Sequence, residues 1–227
     1  NRPGMTECEE LLHVAKTIVV LDHHRQSSDN IDNALLSYIE PYASSACEMV
    51  SEVLQYIVDD IKIPNLEASS LYAGIMIDTN NFMNKTGVRT FEAAAFLRRS
   101  GADITLVRKM FRDDMESYRA KAQIISSAEV YHNKYAIARG ENLTIESPTI
   151  IGAQAANELL DINEVKASFV LTTYNGRIYV SARSIDEVNV QIIMERLGGG
   201  GHMNASGAQF DHTDMDEAVA DLKQVID

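Results

Sequence analysis

Thr17-Ile18-Val19-Val20-Leu21-Asp22-His23-His24 is the stretch on which the reading of this chain turns. Five consecutive β-branched or apolar residues, without the alternation of a half-exposed strand, mark a strand buried on both faces, as in a parallel sheet. One carboxylate and two imidazoles follow at once. They therefore stand at the carboxyl end of the strand, where open α/β sheets bind ligands. Neutral imidazole and carboxylate are good ligands for divalent transition metals. Taken alone, the triplet fits a metal-binding cluster and a loop of solvated or backbone-bonded histidines equally well.

Outward from this strand the first half alternates apolar and helical patterns. Ser44 to Val58 reads as a helix, with Ser45 and Glu48 as a capping box and Ala46, Met49, Val50, Val53, Leu54 and Ile57 on one face. Pro64 marks a break. Glu67 to Ile77 reads as a second helix, although Gly74-Ile75-Met76-Ile77 also has the look of a short strand. Thr90 caps a helix ending near Gly101, and Ile104 to Ser127 reads as one long amphipathic helix.

The pattern then changes. Glu129 to Ala138 suggests a hairpin around Asn133-Lys134, and residues 148 to 160 a helix entered through Pro148. Val165 to Tyr174 and Arg177 to Arg183 flank Asn175-Gly176, the strongest short hairpin signal. Helices over Asn189–Leu197 and Asp216–Val225 complete the chain. The fold expected is α/β: a partial parallel-sheet subdomain at 1–102, a connecting helix at 103–127, and a smaller α+β subdomain at 128–227. Clefts between subdomains are preferred ligand sites.

The 227 residues carry 20 Lys+Arg against 33 Asp+Glu, a formal net charge of -13. Phosphate contacts dominate affinity for long nucleic acids, so a chain this acidic is a poor partner for such polymers. A small phosphorylated ligand is still compatible, given a locally positive site or a cation. No apolar run approaches 18 residues, which argues against a membrane span in this stretch. Cys8 and Cys47 lack metal-type spacing and suit a reducing compartment; Cys47 reads as packing.

Three further stretches carry chemistry. Asp78 ends the apolar run Gly74-Ile75-Met76-Ile77, and from its neighbours Thr79, Asn80 and Asn81 it reads first as a turn former. Gly198-Gly199-Gly200-Gly201-His202 holds more glycine than a helix cap needs. Such a run suits a loop that brings backbone N–H groups close to an anion, with His202 as an added donor. Ser181 and Arg183 end the second strand of the hairpin, where Arg183 suits a phosphate clamp or an ordinary surface position. Arg25 and Arg89 leave the same two readings open. His13, His132 and His212 belong to no ligand pattern.

Asp22-His23-His24, then Gly-x-x-x-Asp-Thr-x-x-Phe, then Gly-Gly-Gly-Gly-His-x-x-Ala-Ser-Gly, in this order, resemble the DHH phosphoesterase superfamily with its glycine-rich associated subdomain. The stretches Asp22–Arg25 and Tyr38–Ala46 are most similar to the GdpP-type cyclic-di-AMP phosphodiesterases. The resemblance implies hydrolysis of one phosphodiester of cyclic-di-AMP to linear pApA by metal-activated water. Two manganese ions roughly 3.5–4 Å apart are the implied cofactors. It makes His23 and Asp78 metal ligands, Asp22 their support and His24 a neighbour of the scissile phosphate. Ser181, Arg183, Gly199, Gly200, Gly201 and His202 become the substrate-holding surface.

The His-x-Asp-x-Asp motif and the lone aspartate that open the family are not in this stretch. The segment is therefore expected to be the C-terminal catalytic portion of a longer protein, weak or inactive by itself. The resemblance further implies a cytoplasmic domain of a membrane-anchored parent, with homodimer formation compatible. Two other readings stay open: a nucleotide-binding regulatory module without chemistry, and a nano-RNase, pAp phosphatase or RecJ-like exonuclease. The net charge speaks against the exonuclease.

Overall fold

A computed structural model of the chain describes residues 1–227 except Ser27, Val58, Asp59, Asp186, His212 and Thr213. The expected Val58 end of the first long helix and His212 thus lie outside the described residues. The chain divides into two compact units, Asn1–Arg112 and Asp113–Asp227. No helix among the described residues is long and apolar enough to cross a membrane.

In the first unit a short helix α1 (Leu11–Val14) precedes β1 (Val19–Asp22). β1 pairs in parallel with β2 (Leu36–Ile39), with Asp22 opposite Ile39. β2 escapes sequence reading because its four residues neither alternate nor form an apolar block. Helices α2 (Ala46–Ile57), α3 (Asn65–Asp78), α4 (Val88–Arg99) and α5 (Ile104–Met110) follow. Ser45 Oγ accepts the Glu48 N–H at 3.0 Å, which starts α2 as expected. The buried Glu48 carboxylate reaches one residue further back, accepting the Ser44 hydroxyl at 2.5 Å. Residues 74–77 are helical, because Asn65–Asp78 runs unbroken. Ala68 and Ile75 of α3 interlock with Ala93 and Leu97 of α4 in a fully buried core.

Gly74 lies where α3 meets α2. A Cβ there would collide with Cys47 Sγ, so glycine lets the two helices approach at this point. Asp78 is one helical turn further along α3 and on the same face.

The long helix expected over Ile104–Ser127 is two helices, α5 and α6 (Met115–Ser126). Asp114 breaks it. Its carboxylate accepts the N–H groups of Glu116 and Ser117 at 2.8 and 2.9 Å, which caps a new helix instead of continuing the old one. The unit boundary falls beside this cap.

The second unit is a six-stranded sheet in the order β3-β4-β5-β6-β8-β7. The strands are β3 (Glu129–Tyr131), β4 (Tyr135–Gly140), β5 (Ala167–Tyr174), β6 (Arg177–Ser184), β7 (Gly200–His202) and β8 (Ala205–Phe210). β4 and β5 are parallel, joined through α7 (Pro148–Leu159), and the other pairings are antiparallel. α8 (Val190–Arg196) and α9 (Met215–Ile226) cover one face over Phe169, Leu171, Ile178 and Val180. α6 and α7 cover the other over Ala136, Ala138 and Val170. Covered on both sides, β5 is buried from Ala167 to Thr172, its apolar residues broken by Ser168, whose hydroxyl donates to the Ala156 carbonyl of α7. Asn175 and Gly176 have φ of 49° and 71°, as a two-residue hairpin turn of this hand requires.

Because Cys47 and Gly74 compete for one space, Gly74→Ala is expected to lower stability by ~1–3 kcal/mol through overpacking. In a Cys47→Ala background the same substitution becomes neutral or stabilising, since alanine is the better helix former. Urea midpoints of the four proteins test this, and equal losses in both backgrounds would exclude the contact as the cause.

Candidate active site

At the end of β1 the Asp22 carboxylate is turned toward hydrogen-bond donors. It accepts the Asn1 side-chain N–H at 2.7 Å and the His24 backbone N–H at 2.9 Å. His24 Nδ1 lies 2.8 Å from it. Burial opposes ionisation of Asp22, and the N–H donors of Asn1 and His24 favour it. Asp22 is thus an anion that orients His24, whose ring is largely exposed.

His23 points elsewhere. Its Nε2 lies 3.7 Å from Asp78 Oδ2, at the far end of α3, although 55 positions separate the two residues (78 minus 23). Burial pushes the imidazole below its ordinary pKa, with the Asp78 charge opposing. The neutral ring this favours is the form that ligates metals. The Asp78 charge also reaches Cys47, whose thiol is pushed up first by burial and then by that carboxylate. Asp78 is the last residue of α3, and the turn that follows is made by its neighbours. Thr79 Oγ1 accepts the Phe82 N–H, and Asn80, Asn81 and Phe82 all have positive φ.

Ligand bonds of roughly 2.1 Å allow two donors on one first-row cation to stand up to roughly 4 Å apart. His23 and Asp78 therefore fit as two ligands of one ion. Among the described residues no cluster of three or more His, Cys, Asp or Glu side chains converges to hold a metal.

The arginines divide. Arg89 is engaged by Glu52 through two bonds of 2.7 Å and approaches Glu40 at 3.7 Å, so it is an ion-pair residue and not a free phosphate clamp. It sits in a hollow of about 720 Å³ between α2 and α4. Arg183 bonds only the Ala182 carbonyl, at 2.8 Å, among the described residues, and burial lowers its pKa.

In the second unit, sheet register brings the remaining candidates together. Ser181 lies opposite Gly207, and Gly207 opposite Gly200. Arg183 lies opposite Ala205, and Ala205 opposite His202. β6 alternates, burying Ile178, Val180, Ala182 and Ser184, so Arg177, Tyr179, Ser181 and Arg183 share the other face.

The glycine run is not the loop expected. It is the edge strand β7 and the turn leading into it. Glycine-poor strand statistics hide this strand, yet close backbone approach requires the residue. A Cβ on Gly199 would strike the Gly207 carbonyl and come within 2.6 Å of Ala208 Cα. Gly201 has φ of 143°, and Gly198 has φ of 78° at the end of α8. Gly200 alone of the four has open space around it and no positive φ.

A strand-end Asp-His-His facing a helix-end carboxylate, followed by a sheet unit edged with glycine, is the layout of an α/β chain of the DHH class. The chain belongs to the DHH family: it matches the DHH family N-terminal domain over residues 1–75 and the DHHA1 domain over residues 135–227. It is 41% identical over 228 residues to the cyclic-di-AMP phosphodiesterase PdeA of Listeria monocytogenes, covering all of this chain and 35% of that protein. To the cyclic-di-AMP phosphodiesterase GdpP of Geobacillus thermodenitrificans it is 43% identical over 227 residues, covering 34% of that protein. The chain spans about a third of the length of these relatives. Its fold is also that of an exopolyphosphatase-related protein from Bacteroides fragilis. The two superpose with a TM-score of 0.86 at 23% identity, over 100% of this chain and 68% of that one.

The glycines separate by experiment. Gly199→Ala is expected to lower the melting temperature by several degrees, because backbone blocks its methyl group. Gly200→Ala should leave it within about a degree, since nothing lies within 4 Å of its Cβ. Thermal melts of the two variants check this, and equal shifts would contradict the register of β7 on β8.

Proposed function

We propose that this chain is the DHH–DHHA1 portion of a metal-dependent phosphodiesterase that opens cyclic-di-AMP to linear pApA. The observation that carries the reading is the apposition of His23 Nε2 and Asp78 Oδ2 at 3.7 Å. Identity of 41% and 43% across the whole chain to proteins named as cyclic-di-AMP phosphodiesterases supports the substrate. The activity is that of a longer protein of which this chain supplies part.

In this reading neutral His23 and the Asp78 carboxylate hold a divalent cation, manganese being the ion expected. Bound cations of this kind neutralise charge developing at phosphorus and acidify water. Asp22 keeps His24 in one orientation through its 2.8 Å contact with Nδ1, so that the other ring nitrogen is presented to the phosphate region. Arg183, with no carboxylate partner among the described residues, supplies the local positive charge that a chain of net charge -13 otherwise lacks for a phosphate. Ser181, His202 and the backbone of Gly199–Gly201 add donors on the same face.

Incubating the longer protein with manganese and cyclic-di-AMP should yield pApA by chromatography, and no product would overturn the reading. His23→Ala and Asp78→Ala should each lower kcat by more than 100-fold and weaken manganese binding in a calorimetric titration. Asp22→Asn, which acts through His24, should lie in the range of 10–100-fold. Arg183→Ala and His202→Ala should raise KM more than they lower kcat.

A further inference from the structure

The second unit holds a depression of about 350 Å³ whose lining includes Ser181 and Gly199, given donor roles above, together with Tyr179 and Gln209, which none of the roles above uses. Tyr179, Ser181 and Gln209 line it, with Thr149 of α7, Gly199 and Gly207. Register explains the grouping. Tyr179 lies opposite Gln209 on β8 and opposite Thr172 on β5, one row along the sheet from the Ser181–Gly207 pair.

The lining has two properties that select a ligand class. None of the residues that line it is Asp, Glu, Lys, Arg or His, so in a chain of net charge -13 this hollow is locally uncharged. A phosphate would find no counter-charge there. Conversely, the hollow combines an aromatic ring with amide and hydroxyl groups that have no hydrogen-bond partner among the described residues: the Tyr179 and Ser181 hydroxyls and the Gln209 amide. A planar, neutral ligand with donors and acceptors on its rim matches that surface. Aromatic side chains stack on any base, and a glutamine amide pairs with the adjacent amino donor and ring-nitrogen acceptor of adenine.

Spacing adds a second constraint. Ser181 and Arg183 lie two residues apart on one face of β6, roughly 6.6–6.8 Å, and Tyr179 lies the same distance further. Tyr179 thus lies roughly 13 Å along the strand from Arg183, so a ring resting on Tyr179 and a phosphate held at Arg183 belong to different nucleotides of a dinucleotide.

We propose that Tyr179 and Gln209 form an adenine-base subsite, Tyr179 as the stacking platform and Gln209 as the reader of the base edge. The proposal rests on the phosphodiesterase reading for its substrate, but binding can be measured without turnover.

The test begins with the 227-residue chain, followed by NMR at the Gln209 side-chain amide. Adenosine 5′-monophosphate should shift this signal saturably, whereas ribose 5-phosphate should not. Equal shifts from both, or from neither, would overturn the subsite. In the longer protein, Tyr179→Ala should raise KM for cyclic-di-AMP at least fivefold with kcat within twofold of wild type, and Tyr179→Phe should restore KM. Gln209→Ala should reduce the preference for cyclic-di-AMP over cyclic-di-GMP. An unchanged KM in Tyr179→Ala together with an unchanged preference in Gln209→Ala would also overturn it. If the longer protein turns over no cyclic dinucleotide but the base-specific NMR shift is present, the phosphodiesterase reading fails and the subsite stands.

Discussion

The close contact of Cys47 with Gly74 governs the first unit. A helix can bring its last carboxylate to a strand-end imidazole only if its axis lies near enough to the layer in between. Asp78 lies one helical turn beyond Gly74 on α3, 3.7 Å from His23, and its charge adds to the burial that pushes up the Cys47 thiol. At the α2–α3 crossing a Cβ at position 74 would meet the Cys47 side chain, so either the helices or that side chain must give. Well-packed interiors transmit displacements of this kind over several residues without damping them.

Charge is handled differently in the two units. In the first, anions are positioned: Asp22 by a set of N–H donors, Asp78 by the end of a helix, and Glu48 by buried hydroxyl and amide groups. Arg89 is held by Glu52 through two bonds and contributes architecture. In the second, the informative cation is Arg183, which is partly desolvated and bonded only to a carbonyl among the described residues. An arginine left in that condition retains most of its capacity for a planar oxyanion.

Much of this was legible in the sequence where local chemistry and tertiary context agree. The Asn175-Gly176 turn and the helices around Met49 and Ala155 announce themselves because burial and propensity point the same way. The β1 run is a strand as expected, but it is not buried on both faces: only Val20 is buried and Val19 is 54% exposed. Two strands were not legible. β2 is four residues long, and β7 is nearly all glycine, chosen for closeness to β8 at the expense of strand propensity. The break at Asp114 was missed because amphipathic spacing continues through it while a single carboxylate captures the next helix's N–H groups. Asp78 shows the limit most clearly. Its neighbours identify a turn, which is present, but nothing local to it reveals that His23 waits across the unit. Tyr179 and Gln209 carried no signal at all, because only the pairing of β6 with β8 makes them neighbours.

Both outer strands of the six-stranded sheet, β3 and β7, are three residues long. Long, flat borders with unpaired amides recruit strands from other molecules, and stubby borders offer them too few bonds to take hold. The glycines that let β7 lie tight against β8 therefore also leave the border with no side chains to extend it. Protection from intermolecular zippering comes with the same geometry, without a proline or a lysine being placed there.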